Sequence, residues 1–297
     1  VFTKGTISAQ TIDRTIQTFN EFKKQLERHH ATHVKAVGTS ALREATNRDA
    51  VLKAITNATG IALSIIGGEE ESRLIHQAVK EVVNLKNKVA LLVDIGGGSV
   101  EVVLADDTTV LCTESYSMGS VRLLKILDEK AGEERFNQLV TEYVDATQRR
   151  LEQEIGNQKI DVCVGTGGSI ESLGDLRRDL FEKNSNQKVT ADELKSLVKK
   201  LRGSTFEERI QNLRLRPDRA DVIVPAAIVL QKIVQQAGVS EVVIPGIGLK
   251  DGVLSEILSQ LRDQEKRIYR DQVVDSARRL GKKFFYDEKH AKIVAKL

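Results

Sequence analysis

The stretch VDIGGGSVEVVLADD, residues 93–107, sets three successive glycines between two runs of strand-forming residues. Glycine loses more backbone freedom on folding than any other residue, so a triplet at such a junction is kept where the backbone itself must be approached closely. The chain must therefore build strands that end in a tight, backbone-lined turn. Two other turns share this grammar of an apolar strand followed by small, hydroxylated residues: VGTSALRE at 37–44 and VGTGGSIES at 164–172. Glycines let several N–H groups point into one concavity, a following helix N-terminus adds its dipole, and serine and threonine add donors; together these bind phosphate oxygens. The central turn differs in lying between two strands, and resembles a β-hairpin phosphate clamp.

The standard nucleotide motifs are absent. No GxxxxGK[ST] is present, which excludes a P-loop ATPase, and the glycine spacings do not make GxGxxG, which excludes the dinucleotide fingerprint.

Strands and helices alternate along the 297 residues, so the fold class expected is α/β. Ser8 is placed to cap a helix running to about His29, with Ile12, Ile16, Phe19, Phe22 and Leu26 on its apolar face. The spacing then predicts a strand at 32–37, a helix at 42–55, a strand at 61–66 and a helix opening on GGEEE. Residues 89–94, 100–105 and 110–115 read as an antiparallel meander. A helix over 133–155 is expected to feed a strand at 161–164, the GTGGS turn and a further helix. Residues 183–211 read as polar and helical, with capping boxes at Thr190–Glu193 and Ser204–Glu207. Helices at 222–236 and 248–261 flank a short strand at 241–245. No repeat of solenoid length occurs.

The formal net charge of +3 does not indicate a nucleic-acid partner, but it is unevenly placed: residues 262–297 hold eleven Lys and Arg against six Asp and Glu. A polyanionic partner near this tail and a plain solvated helical face are both consistent with it. Cys112 and Cys163 lie in apolar runs and read as buried thiols of a reducing compartment, the cytoplasm. The longest apolar run, VIVPAAIVL, is too short to span a membrane. VFTKGTISAQ has neither a start methionine nor a signal-peptide pattern, so the chain reads as a fragment.

Asp94 directly precedes the glycines at the end of a buried-looking strand. A carboxylate there either caps backbone donors or faces a cation, and beside a phosphate loop Mg²⁺ is the natural candidate. Arg43, just past the first turn, could grip a phosphate with two hydrogen bonds, or form a surface ion pair with Glu44 or Asp49. Glu69, Glu70 and Glu71 open a helix, where acidic residues complement the dipole; a glutamate in that place could also take a proton from an attacking water.

Six motifs, in order, resemble the exopolyphosphatase and guanosine pentaphosphate phosphohydrolase (Ppx/GppA) family of the actin-like superfamily: GTSALREATN (38–47), GGEEESRLI (67–75), DIGGGSVE (94–101), SMGSVRL (117–123), GTGGSIESL (165–173) and GLKDGVL (248–254). The resemblance implies two actin-like lobes with a cleft between them, a first lobe over 1–75, a second over 76–262 and a helical segment over 263–297 that starts an HD-like domain. It implies Glu71 as catalytic base, since the family's glutamate precedes a small residue and an arginine, here Ser72 and Arg73. Asp94 would be the metal-linked aspartate, with Gly96, Gly97, Gly98 and Ser99 as the phosphate cradle. Arg43 would be a phosphate contact, and Gly165, Thr166, Gly167, Gly168 and Ser169 a further phosphate loop. The family's first phosphate loop, D-x-G-S-N-S, does not occur in this sequence, and the last residues, YDEKHAKIVAKL, resemble the beginning of the HD-like domain.

The function expected is Mg²⁺-dependent removal of terminal phosphate from inorganic polyphosphate, with K⁺ a candidate companion ion. The alternatives are hydrolysis of guanosine pentaphosphate, a kinase, and a module that binds polyphosphate or alarmone without turnover. No nucleic-acid or membrane partner is expected, and the helix after Ile268 is a candidate homodimer contact.

Overall fold

The computed structural model describes residues 1, 5–127, 135–136, 138–142, 145–146, 149, 153, 159–261 and 266–295. The chain divides into two compact units, Val1–Glu71 and Ser72–Leu297.

In the first unit, helix α1 (Ala9–Arg28) begins as the sequence predicts, with the Ser8 side chain accepting from the Thr11 amide. Strand β1 (Ala36–Gly38) pairs in parallel with β2 (Leu63–Ile65). Helices α2 (Ser40–Glu44) and α3 (Arg48–Thr59) lie between them. Val51, Ile55 and Leu63 form a small core against Ile12, Ile16 and Phe19 of α1. Two expectations are corrected here. The strand predicted at 32–37 is confined to the three residues that find a parallel partner. The helix predicted over 42–55 is interrupted because Asn47 leaves the helical path to bracket Ile7, accepting from its amide at 2.9 Å and donating to its carbonyl at 2.8 Å.

Helix α4 (Gly68–Val82) contains the boundary between the units. The second unit is built on a six-stranded sheet of order β5-β4-β3-β6-β8-β7. Strands β3 (Ala90–Ile95), β4 (Val100–Ala105) and β5 (Val110–Tyr116) form the expected antiparallel meander. Strand β6 (Val162–Thr166) lies parallel to β3, and β8 (Glu241–Val243) parallel to β6. Strand β3 is apolar on both faces, as a central strand covered on two sides must be. Leu91, Val93 and Ile95 enter one core, while Ala90 and Leu92 enter another with Ile75 and Val79 of α4.

Helices α5 (Ser120–Leu127), α6 (Gly168–Leu180), α7 (Ala191–Arg202), α8 (Phe206–Gln211), α9 (Pro217–Ala220), α10 (Ile223–Gln236), α11 (Leu249–Leu261), α12 (Lys266–Lys283) and α13 (Glu288–Val294) complete the described elements. The larger core is dominated by α10, whose Ile223, Ala226, Ala227, Val229 and Leu230 are all fully buried. The helix predicted over 133–155 falls largely outside the described residues. Within the polar stretch 183–211, the capping box at Thr190 and Glu193 is present, but the second belongs to Thr205 and Glu208, because the Ser204 hydroxyl is taken by the Lys200 carbonyl at 2.8 Å. The same stretch hides strand β7 (Lys188–Thr190), an antiparallel edge on β8 whose Val189 is buried. Among the described residues no helix is long and apolar enough to cross a membrane.

Candidate active site

Asp94 and Thr166 occupy matching positions on the parallel strands β3 and β6. These are neighbouring strands whose chains then leave in opposite directions across the sheet, β3 to β4 and β6 towards β8. In open α/β sheets a crevice at the carboxyl end of such a pair is where ligands bind. Both glycine turns of this unit follow there.

At the end of β3, the carbonyls of Gly96, Gly97 and Gly98 are turned toward the start of α5. They accept from the amides of Ser120 at 2.9 Å, Val121 at 3.0 Å and Gly119 at 3.2 Å, and the Arg122 guanidinium reaches the Gly98 carbonyl at 3.1 Å. The approach is so close that a methyl on Gly119 would overlap the backbone of Gly97 and Gly98. The SMGS segment therefore braces the glycine triplet. Ser99 is buried behind it.

At the end of β6 the turn is different. Gly165 is packed between Ile170 and Val242, where a methyl would lie 2.8 and 2.9 Å from side-chain carbons. The Thr166 hydroxyl donates to Asp94 Oδ1 at 2.5 Å. Gly167 adopts φ +93°, and an added methyl would stand 2.8 Å from the Ile95 carbonyl oxygen and 3.2 Å from Asp94 Oδ1. Only glycine fits both the backbone and the space. Gly167 caps α6 without a side-chain hydrogen bond, so no side chain satisfies the first amides of that helix through its cap. Ser169 is buried at its first turn.

Burial raises the pKa of Asp94 above the usual 3.8; the Thr166 hydrogen bond works against this, and the negative charge of Glu171 adds to it. Glu171 stands in the first turn of α6, and sequence reading missed it as a second carboxylate of this place. Its signal was available, since it follows the GTGGS turn by one helical position after Ile170.

In the first unit, Arg43 and Glu71 are brought together. Arg43 Nη1 donates to Glu71 Oε2 at 2.9 Å and to the Ile66 carbonyl at 2.7 Å, tying α2 to the start of α4. The surface pairing with Glu44 or Asp49 offered as an alternative is not what forms. Glu44 accepts from Ser40 at 3.0 Å, and Asp49 lies 3.8 Å from Arg48. Of the three glutamates, Glu71 is buried while Glu69 and Glu70 are half-exposed. The structure therefore separates the residue picked out by the resemblance from its neighbours. In the turn at 38–40, Gly38 packs beneath the Leu42 side chain, and the Ser40 hydroxyl is spent on Glu44.

The chain is similar to known proteins over most of its length. The curated guanosine-5'-triphosphate,3'-diphosphate pyrophosphatase of Vibrio vulnificus is 26% identical over 263 residues, 88% of this chain and 52% of that protein. Its counterpart from Aeromonas hydrophila is 25% identical over 290 residues, 97% of this chain and 56% of that protein. The chain thus spans about half the length of the curated relatives it matches. The crystal structure of an exopolyphosphatase from Cytophaga hutchinsonii matches with a TM-score of 0.78 and 26% identity, covering 87% of this chain and 85% of that one. The Aquifex aeolicus member of the Ppx/GppA family matches with a TM-score of 0.71 and 25% identity, over 86% of this chain and 84% of that one. The α/β fold of this chain is the fold shared with these structures. The sequence profile of the Ppx/GppA phosphatase family matches residues 1–261, and the chain belongs to that family.

Proposed function

We propose that the protein removes terminal phosphate from inorganic polyphosphate by metal-assisted attack of water. The observation that carries this reading is the setting of Asp94, a carboxylate at the end of a buried strand, flanked by two glycine turns and close enough to Glu171 to feel its charge. Burying a carboxylate beside another disfavours its ionised form, and a cation reverses that cost.

The donor set fits Mg²⁺. Among the described residues no group of three or more His, Cys, Asp or Glu stands together. One or two carboxylates, completed by water and phosphate oxygens, are what magnesium uses at phosphate sites. Asp94 would hold the ion, with Glu171 adding negative charge near it, and the ion would neutralise charge on the phosphate oxygens.

The remaining work falls to the chain. With the carbonyls of Gly96 to Gly98 committed to α5 and the Gly96 amide donating to the Ser99 carbonyl at 3.0 Å, the amides of Gly97 and Gly98 serve phosphate oxygens. The amides that open α6 at Gly168 and Ser169 do the same, with the helix dipole behind them. Glu71 takes the proton of the attacking water. Its Arg43 partner fixes its rotamer, so Arg43 acts on phosphate mainly through Glu71. Positioning and charge neutralisation supply most of the acceleration in phosphoryl transfer, which suits a site with one base and many donors.

Guanosine pentaphosphate is the second reading, favoured by the name of the curated relatives, whereas the Cytophaga hutchinsonii structure carries the name exopolyphosphatase. Both substrates end in a phosphoanhydride. The test is phosphate release by the full-length protein from the two substrates offered together at equal concentration. Mg²⁺-dependent release favouring polyphosphate is expected, and Glu71→Gln should slow it about 100-fold or more. Preference for the nucleotide would establish the second reading; an undiminished rate in Glu71→Gln would remove Glu71 as the base.

A further inference from the structure

We propose that Arg122 is a positioning residue of the phosphate clamp: it sets and polarises the Gly98–Ser99 peptide, so that the Ser99 amide joins those of Gly97 and Gly98 as a phosphate donor. Arg122 belongs to SMGSVRL, residues 117–123, a motif that has as yet no part in the proposed reaction. In a trans peptide the C=O and the N–H point in opposite directions. The carbonyls of Gly96, Gly97 and Gly98 share their peptides with the amides of Gly97, Gly98 and Ser99, so whatever holds these carbonyls aims these amides. The start of α5 holds all three, and each accepts two hydrogen bonds. Gly96 receives the Ser120 amide at 2.9 Å and the Ser120 hydroxyl at 3.2 Å. Gly97 receives the amides of Val121 at 3.0 Å and Arg122 at 3.3 Å. Gly98 receives the Gly119 amide at 3.2 Å and Arg122 Nε at 3.1 Å. A carbonyl oxygen has two lone pairs, so these three are full. Among the described residues, the amides of Gly97, Gly98 and Ser99 donate to no backbone carbonyl.

Of these six donors only Arg122 Nε carries a charge. A hydrogen bond from an ionised donor is about twice as strong as a neutral one. It also draws electron density toward the carbonyl oxygen, which makes the N–H of the same peptide a better donor in its turn. Glycine at position 98 leaves that peptide free to rotate, so its orientation has to be imposed from outside. A mere tether for α5 would need no charge. Leu123 is already buried in the larger core, and Gly119 lies so close to the triplet that a methyl there would overlap backbone atoms of Gly97 and Gly98. What the arginine adds is a permanent cation on the carbonyl side of the turn, together with the positive end of the α5 dipole. From there it reinforces the donors without occupying the face that an anion enters.

The inference rests on the proposed hydrolytic reading, and one set of measurements separates the two. Arg122→Met, which keeps the stem, and Arg122→Gln, which keeps a neutral donor, would be compared with wild type in the full-length protein. The readouts are steady-state phosphate release from polyphosphate, calorimetric binding of inorganic tripolyphosphate, thermal unfolding, and hydrogen exchange of the peptide covering residues 96–103. Arg122→Met is expected to raise KM and weaken tripolyphosphate binding about tenfold, with kcat falling less because Asp94 and Glu71 are untouched. Arg122→Gln should fall between Arg122→Met and wild type. Tripolyphosphate should slow exchange in the 96–103 peptide of wild type, and slow it less in Arg122→Met. Unchanged KM and binding in Arg122→Met, with wild-type release intact, would overturn the role of Arg122 and leave the hydrolytic reading standing. A variant that melts lower yet keeps full ligand protection of the turn would show a plain tether and overturn it as well. A wild type that binds tripolyphosphate through Arg122 but releases no phosphate from any substrate would support the clamp and remove the hydrolytic reading. A wild type that neither binds nor hydrolyses would overturn both.

Discussion

At the end of β3, Gly97 and Gly98 lie against the backbone of Gly119, while one strand over, at the end of β6, Gly167 lies against the Ile95 carbonyl and the Asp94 carboxylate and Gly168 against the guanidinium of Arg219. The first turn is built by main chain meeting main chain, and its carbonyls are consumed in bracing α5. The second is built around charged groups. The same residue type thus marks two different demands: close packing of the fold in one place, room for ionic side chains in the other. The three-glycine run that most constrained the reading of the sequence turns out to brace the scaffold, whereas the plainer GTGGS run is the one that reaches the Asp94 carboxylate.

This contrast can be broken by substitution. Gly167→Ala forces a side chain into φ +93° against Ile95 and Asp94. It should cost about 1–3 kcal/mol of stability, because the left-handed conformation strains any L side chain. It should also lower kcat/KM about 100-fold, because it displaces the carboxylate from its working position. Calorimetry and steady-state kinetics on the same preparation would show activity falling further than stability accounts for. Gly119→Ala should act differently: it overpacks against the Gly97 and Gly98 backbone, costing about 1–3 kcal/mol, and by shifting the proposed phosphate amides it should raise KM about tenfold with kcat falling less. Equal behaviour of the two variants would erase the distinction between the turns.

A finer probe is Thr166→Val. The Thr166 hydroxyl lowers the pKa of Asp94 against the larger effect of burial, so removing it should raise that pKa further. The acidic limb of the rate profile should then move to higher pH, because a hydrogen bond that favours the ionised carboxylate is lost. The smallest expected effect is at Cys163, on β6 just before the turn. Burial pushes its thiol up to about 12. A thiolate is the reactive form, so native protein should leave Cys163 unmodified by iodoacetamide at pH 8, by peptide mass analysis, and unfolded protein should not.

Much of the architecture was legible because it rests on local rules. Ser8 capped its helix, β3 to β5 paired as an antiparallel meander as expected, and α10 announced itself as an apolar helix. What escaped depended on distant partners. The break at Asn47 exists because Ile7, forty residues earlier, needs a backbone partner. Strand β7 is three residues long and is a strand only because β8 lies beside it. The same holds for the site. Asp94 and the glycine turns were visible as motifs, but the Thr166 bond to Asp94 requires the register of two strands 72 residues apart. The Arg43 pairing with Glu71 likewise spans 28 residues, and local reading offered Glu44 and Asp49 instead. Glu171 was legible as an acidic residue just after the GTGGS turn, but only the fold brings its charge to bear on Asp94.

The most direct test of the account is thermal unfolding of the wild type and Asp94→Asn, with and without Mg²⁺, from pH 4 to pH 8, alongside phosphate release. Because the folded-state pKa of Asp94 is raised above 3.8, the stability linked to its protonated form is fully present below that value and is lost as pH rises through the folded pKa. Asparagine stays neutral throughout. The account predicts that Asp94→Asn melts higher than wild type at pH 7 without metal and that the difference closes toward pH 4. It predicts further that Mg²⁺ raises the melting temperature of wild type alone, and that the variant releases no phosphate. A variant that melts no higher than wild type, responds to Mg²⁺ as wild type does and still releases phosphate would contradict the placing of Asp94 at the centre of the site.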